Sequence, residues 1–294
     1  MRDEKIRKSG ELQVSQDQWT TEIRPASGWF DIHPGELWRY RDLALLFVRR
    51  DFVAIYKQTI LGPLWYLLQP IMTTVVFTVI FNKVARLPTD GLPPVLFYLS
   101  GVVVWRYFAD CLQKTANTFV SNAHLFGKIY FPRLTVPISV VLSNLISFAI
   151  QLLLLACVWL YFLGQGAEIR LSGSVLLLPL LVVQVAALGL GCGIIVSSLT
   201  TKYRDLAQLV SFGIQLWMFA TPVVYPASII PEAWRWSLLL NPMAPIVETF
   251  RSMIFDVGLI DAAAIASSLL TTMIVLLLGV VLFTRVEKNF MDTV

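Results

Sequence analysis

Six apolar runs, at about residues 61–81, 92–112, 134–163, 173–199, 207–224 and 259–284, set what this chain can fold into. A helix crossing a bilayer needs about 20 consecutive apolar residues, because the hydrocarbon core is about 30 Å thick. The third run is long enough to tilt or to extend beyond the bilayer. Only 14% of the 294 residues are charged, where soluble domains carry about 25%, and the deficit falls inside the runs. The expected fold class is an all-α integral membrane protein with six transmembrane helices.

An even number of spans puts both termini on one side. Seventeen Lys and Arg residues fall in the segments on that side, against five on the other (Lys83, Arg86, Arg170, Arg235 and Arg251). The positive-inside rule then makes both termini cytoplasmic. Residues 1–35 hold no apolar core of signal-peptide type, so no cleaved leader is expected, and they read as a flexible cytoplasmic tail.

Between the fifth and sixth runs lies Thr221–Gly258, too polar to span and too aromatic for an ordinary loop. Pro231 suits the first turn of a short helix with Glu232 at its positive end. That helix has to stop at Asn241, because the residue before Pro242 is pushed out of the α region. A second helix is expected from about Pro245, with Met243, Ile246, Val247, Phe250 and Ile254 on one face and Glu248, Arg251 and Ser252 off it. Two helices of about a dozen residues around an Asn-Pro break predict a re-entrant helical hairpin, residues 225–257, on the outer side. A flat amphipathic plug on the membrane surface fits the same pattern.

On the cytoplasmic side, residues 36–58 predict an amphipathic interface helix. Arg39, Asp42, Arg49, Arg50 and Lys57 share one arc, and Leu37, Ala44, Val48, Phe52 and Ile55 the opposite one. The connection 113–133 carries Phe119, Leu125, Phe126, Ile129 and Tyr130, more large apolar groups than a solvated loop needs, and predicts a docking surface. The connection 200–206, with Arg204, is short and charged; it fits partner contact or simple interfacial anchoring.

Two spans carry polar stripes. In the first, Trp65, Tyr66, Gln69 and Thr73 share an arc with Gly62; in the fifth, Gln208, Ser211 and Gln215 lead into Met218 and Phe219. Polar groups at membrane depth face a bundle interior or a wet path. Aromatics beside amides would suit a sugar chain, and hydrogen bonding between helices fits the same residues.

The chain has no GxxxxGK[ST] phosphate loop, no HExxH and no GxSxG. Its two histidines, His33 and His124, lie in different segments, and its three cysteines, Cys111, Cys157 and Cys192, read as buried, inert thiols. Gly189 and Gly193 form a GxxxG that predicts helix packing. Apart from Asp261 at the outer edge of the last run, only Arg106 and Asp110 are charged within the spans, near the cytoplasmic end of the second, where spacing i, i+4 lets them pair. Without an ion relay or nucleotide site, a six-span protein has to be passive or driven by another subunit.

The run TILGPLWYLLQP (59–70), FPR (131–133), YRDL (203–206), TPVVYP (221–226) and the IP…W…NPM…I series from Ile230 to Ile246 resemble the polysaccharide-export permeases of the type-2 ABC transporter family. The resemblance covers about residues 36–290. It implies a homodimer with two cytoplasmic ABC ATPase subunits, which hold the ATP and Mg; no cofactor is expected on this chain. It implies a multi-pass protein of the bacterial inner membrane, exporting lipid-linked polysaccharide, with no role for nucleic acid. Residues 36–58 then match the interface helix. Residues 113–133 match the coupling region, with Leu125, Phe126, Lys128, Tyr130 and Arg204 as ATPase contacts. The outer gate falls on 225–257, with Pro231, Trp234, Asn241, Pro242 and Phe250 as its gating residues.

The expected function is therefore the permease subunit of an ATP-driven exporter of lipid-linked polysaccharide, O-antigen foremost, with ATP hydrolysis on a separate chain. Trp65, Tyr66, Gln69, Thr73, Gln208, Ser211, Gln215 and Phe219 are the candidate path, and Arg39, Arg49, Arg50 and Lys57 the candidate entrance for a lipid diphosphate. The alternatives are a permease of the same type for capsule, teichoic acid, a drug or a small lipid, and a multispan enzyme acting on lipid-linked sugars. An enzyme would need catalytic carboxylates or histidines, and those present outside the spans form no motif.

Overall fold

The computed structural model describes residues 34–57, 60–122, 131–167, 169, 172–200, 205–258 and 261–290, and no strand occurs among them. The interface segment is two helices, α1 (Pro34–Arg39) and α2 (Arg41–Lys57). Hydrogen bonding runs through Tyr40 between them, from Tyr40 N to Glu36 O and from Ala44 N to Tyr40 O. Ala44 is buried while Arg39, Arg49, Arg50 and Lys57 are exposed, so the basic arc faces away from the bundle as the periodicity predicts.

Among the described residues, five helices are long and apolar enough to cross a membrane: Gly62–Val84, Pro94–Ala116, Thr135–Gly164, Gly173–Thr200 and Ala262–Arg285. Their named parts are α3 (Trp65–Phe77), which runs on into a π-helical turn at Thr78–Val84, α4 (Pro94–Ala116), α6 (Thr135–Gly164), α7 (Leu178–Thr200) and α11 (Ala262–Phe290). A single turn, α5 (Thr118–Ser121), follows α4. The fifth apolar run forms α8 (Leu206–Ala220), whose 15 residues rise about 22 Å. The run was expected to continue to 224 as helix. It stops at Ala220 because Pro222 lacks an N–H and drives Thr221 into extended backbone, φ −104° and ψ 143°.

The second span is the axis: most of it is buried, whereas little of the first and last spans is. Glycine sets how closely its neighbours approach. A Cβ on Gly193 of α7 would stand 2.5 Å from Thr115 Cβ of α4, and one on Gly189 2.8 Å from Cys111 Cβ. On the opposite face of α7, a Cβ on Gly191 would meet the Leu276 backbone of α11 at 2.9 Å. The GxxxG is a packing face, as expected.

Among the described residues, two apolar clusters hold the bundle. The larger joins α4 to α3, α6, α7, α8 and the hairpin region. The smaller lies where α2 meets the ends of α7 and α11, and contains Phe119, Phe131, Val136, Ile194 and Phe283. Phe119 stacks on Phe283 with centroids 4.7 Å apart, and Phe47 of α2 lies 6.0 Å from Phe131. Phe119 was expected on a docking surface. It is instead 1% exposed, because the α4–α5 turn folds it under the last span. Of the three cysteines, all free, Cys111 is buried and Cys157 is exposed, so only part of the expected thiol burial occurs.

Candidate functional site

The two polar stripes meet on one edge of α4. Arg106, Asp110 and Gln113 sit at i, i+4 and i+7 and so share a face. The Arg106 guanidinium donates to Gln69 Oε1 of α3 and lies 3.9 Å from the Asp110 carboxylate. Gln113 Nε2 donates to Ser211 Oγ of α8 at 2.9 Å. The expected Arg106–Asp110 pair is present. Arg106 stands nearer the middle of its helix than expected, however, because α4 runs on to Ala116 rather than ending near 112. Gln69 is what receives it there.

Beyond that edge the stripes are uncovered. Trp65 and Gln69 are exposed and Thr73 is half-buried, its Oγ1 donating to Gln69 O. Gln208, Phe212, Gln215 and Phe219 of α8 are exposed at helical spacing, with Ser211 half-buried beside them. Tyr66 diverges from its stripe: it lines a cavity of about 230 Å³ with Asp51, Phe52, Lys114, Ser143 and Asn144, between α2, α4 and α6. Thus Gln69 and Ser211 bond helix to helix while Trp65, Gln208, Gln215 and Phe219 present an open face.

The segment after α8 differs most from expectation. The first half of the hairpin is a short 3-10 turn at Glu232–Trp234 and α9 (Trp236–Leu240), not a helix of a dozen residues. The second is α10 (Met243–Phe255). Asn241 is extended between them, φ −97° and ψ 102°, as the following proline requires. Pro245 falls in the first turn of α10, where a missing N–H costs nothing. The halves have different environments. Pro231 and Trp234 are exposed, and Trp234 stacks on Trp236 with centroids 6.5 Å apart, whereas Pro242 and Phe250 are buried.

Arg251 and Glu248, expected off the apolar face of that helix, are 1% and 7% exposed. They are buried because α4, α7, α11 and the turn before α7 enclose α10 on more than one side. Arg251 Nη1 donates to Pro222 O at 2.6 Å and to Glu248 Oε1 at 3.2 Å; Nη2 donates to Val223 O at 2.8 Å. Its guanidinium also lies 3.8 Å over the Phe97 ring of α4. Glu248 Oε1 in turn accepts from Ala227 N at 3.4 Å. Burial raises the Glu248 carboxyl above its ordinary value and lowers Arg251 to about 10, and the opposite charge of each partner opposes the shift. The pair, with Trp217 and Gly101, was missed in the sequence. The available signal was an i, i+3 charge pair inside an otherwise apolar helix flanked by spans.

The four candidate entrance cations remain exposed on α1 and α2, with Arg50 bonded to Asp51 at 2.9 Å and stacked 4.9 Å over Phe47. Leu125, Phe126, Lys128, Tyr130 and Arg204 lie outside the described residues. No group of three or more potential metal ligands occurs among the described residues.

A family model described as ABC-2 type transporter matches residues 43–255. A Myxococcus xanthus protein named O-antigen export system permease protein RfbA is 28% identical over 261 residues, 88% of this chain and 98% of that one. A Klebsiella pneumoniae protein of the same name is 27% identical over 251 residues, 85% of this chain and 94% of that one. The Escherichia coli polysialic acid transport protein KpsM is 23% identical over 235 residues, 79% of this chain and 89% of that one.

Proposed function

This chain belongs to the ABC-2 type transporter family, and from that premise we propose that it is the permease subunit of an ATP-driven exporter of lipid-linked O-antigen across the bacterial inner membrane. One observation supports the reading above the others: the polar and aromatic faces of α3 and α8 are left uncovered within apolar helices and converge on the Arg106–Gln113 edge of α4. A face of that kind is costly against lipid. A second copy of the chain would cover it, and two such faces would enclose a path on which sugar rings stack while amides and hydroxyls exchange hydrogen bonds.

In this reading both termini are cytoplasmic, and two ATPase subunits dock on the 113–133 connection and the α1–α2 segment. Their closure on ATP is transmitted through the small cluster around Phe47, Phe119, Phe131 and Phe283, which ties α2 to the ends of three spans. The segment between α8 and α11 acts as the outer gate. The exposed cations of α1 and α2 favour a lipid diphosphate at the entrance. O-antigen is preferred to an anionic capsule because the relatives named for it are more similar than the one named for polysialic acid.

The test is complementation. In a strain lacking this gene, lipid-linked glycan should accumulate inside and disappear from the surface, and the wild-type chain with its ATPase should restore surface glycan. Restoration by the chain alone, or export that persists when the ATPase is inactive, would overturn the proposal.

A further inference from the structure

We infer that Arg251 divides the segment between α8 and α11 into a fixed half and a mobile half. The fixed half is α10 with the turn Thr221–Val224, and only Ile229–Leu240 is free to act as a gate. The inference rests on the gate reading above and refines it.

The argument starts from backbone that lost its partners. Helix α8 breaks at Thr221, so the carbonyls of Pro222 and Val223 have no N–H of their own helix to accept from. Thr221 and Val223 are fully buried. A carbonyl buried away from water without a donor carries the full desolvation penalty. Arg251 meets both, one nitrogen to each, and its planar fork suits that geometry where a lysine's point charge would not. The charge is balanced by Glu248, and the carboxylate's other contact is the N–H of Ala227.

The same side chain reaches α4. It lies over the Phe97 ring, and a Cβ on Gly101 would meet Nη2 at 2.7 Å, so the guanidinium fits only because residue 101 is glycine. Breaking a buried pair of this kind is costly, since it strands a charge. Helix α10 is therefore fastened to the axial helix of the bundle.

The anchors end where the exposed half begins. At one side Ala227 is held by Glu248, and Ser228 Oγ donates to Asp90 Oδ1, before α4, at 2.7 Å. At the other, Pro242 O accepts from Ser268 Oγ of α11 at 2.6 Å, and Asn241 accepts from Trp217. Between these points Pro231, Glu232, Ala233, Trp234, Arg235 and Trp236 are all exposed. Low burial of that kind marks the low-stability end of a structure, where moving elements are drawn from.

Hydrogen–deuterium exchange on the chain co-assembled with its ATPase subunit, nucleotide-free and ATP-trapped, tests the division. The amides of 246–255 should stay as protected as those of 97–112 in both states, while those of 229–240 change by at least about tenfold with ATP. In Arg251→Met the amides of 223–224 and 246–255 should exchange at least about tenfold faster with 97–112 unchanged, and Arg251→Lys should fall between that variant and wild type. Parallel deprotection of 229–240 and 246–255 in the wild type would overturn the inference, because the two halves would then move as one hairpin. That comparison needs no variant and stands even if Arg251→Met fails to assemble. Insensitivity of 229–240 to ATP would remove the gate reading and the mobile half with it, while exchange of 246–255 in the variants still decides the anchor.

Discussion

The indole Nε1 of Trp217 donates to Asn241 Oδ1 at 2.9 Å, tying the last turn of α8 to the break between α9 and α10. The same oxygen accepts from Met243 N at 3.1 Å and so caps α10, while Asn241 Nδ2 donates to Ala220 O at 3.1 Å and to Thr221 Oγ1 at 3.0 Å. One amide thus serves the end of one helix and the start of the next, which is where both leave backbone groups without partners.

Removing that amide should cost more than removing either neighbour. Asn241→Ala leaves the Trp217 N–H, the Ala220 carbonyl and the Met243 N–H unpaired, a loss of about 2–4 kcal/mol. Trp217→Phe keeps a ring against Trp105 and Phe108 and gives up one bond, about 1 kcal/mol. Thermal unfolding of the purified chain in detergent should rank wild type above Trp217→Phe above Asn241→Ala. Equal midpoints would show that water replaces the amide.

Glycine packing supplies a second test with its own control. Gly193→Ala drives a methyl into Thr115 of α4, and overpacking of this kind costs about 1–3 kcal/mol. A Cβ on Gly213 of α8 meets nothing within 4 Å, so Gly213→Ala should be neutral or, through helix propensity, slightly stabilising by up to about 1 kcal/mol. The midpoint should fall for the first variant only.

The spans were legible because hydropathy follows from lipid exposure, and less than a quarter of the apolar window of the first, third and last spans is buried inside the bundle. The Asn-Pro break was legible too, since the restriction before proline is local. Arg251 was not. Its acceptors are carbonyls 28 and 29 residues upstream, freed by a helix break whose consequence lies in tertiary structure. A face assignment by periodicity places every charge toward water, so it set Glu248 and Arg251 on the wrong side. The polar stripes were half legible: the sequence locates Gln69 and Ser211 on them, but which amides bond to α4 depends on Arg106 and Gln113 across the helix interface.

The connection between α4 and α6 separates docking from folding. Phe126→Asp or Tyr130→Asp should weaken ATPase association in pull-down while leaving the amount of inserted chain near wild type. Phe119→Asp should instead lower the amount of folded chain, because it puts a carboxylate against Phe283 in a buried stack. Normal ATPase binding by the first two variants would reduce 123–130 to a solvated connection.

The open face of α8 predicts a pattern of accessibility. In the assembled transporter, cysteine at Gln215 should react with a water-soluble maleimide, whereas cysteine at Ile214, which is buried, should not. Trp65→Ala and Gln215→Ala should each lower export several-fold with assembly unchanged, since one stacking or polar contact to a sugar is worth about 1 kcal/mol. Equal inaccessibility of 214 and 215 would leave the face as a packing surface.

The last prediction concerns the break itself. Pro242→Ala restores an N–H and relaxes the restriction on Asn241, one of the conditions for α9 and α10 to merge into a helix of 20 residues, 236–255; Pro245, harmless in a first turn, stands inside that helix and resists it. Asn241 opposes it, because its side chain holds Trp217, Ala220, Thr221 and Met243 only with the backbone extended. Pro242→Ala alone should therefore change export by less than about twofold, the side-chain bonds outweighing the relief of a local preference. Asn241→Ala combined with Pro242→Ala, made in a Pro245→Ala background because a proline inside the merged helix would break it, removes these restraints. The merged helix could not reverse, so the combined variant should either leak small solutes across the membrane or stop export. ATPase association at the opposite end should remain intact in both variants. Glycan export, leakage of a small dye from vesicles and ATPase pull-down, measured on the same preparations, decide it. Normal export and no leakage in the combined variant would remove the gating role and leave the segment as a cap on the bundle.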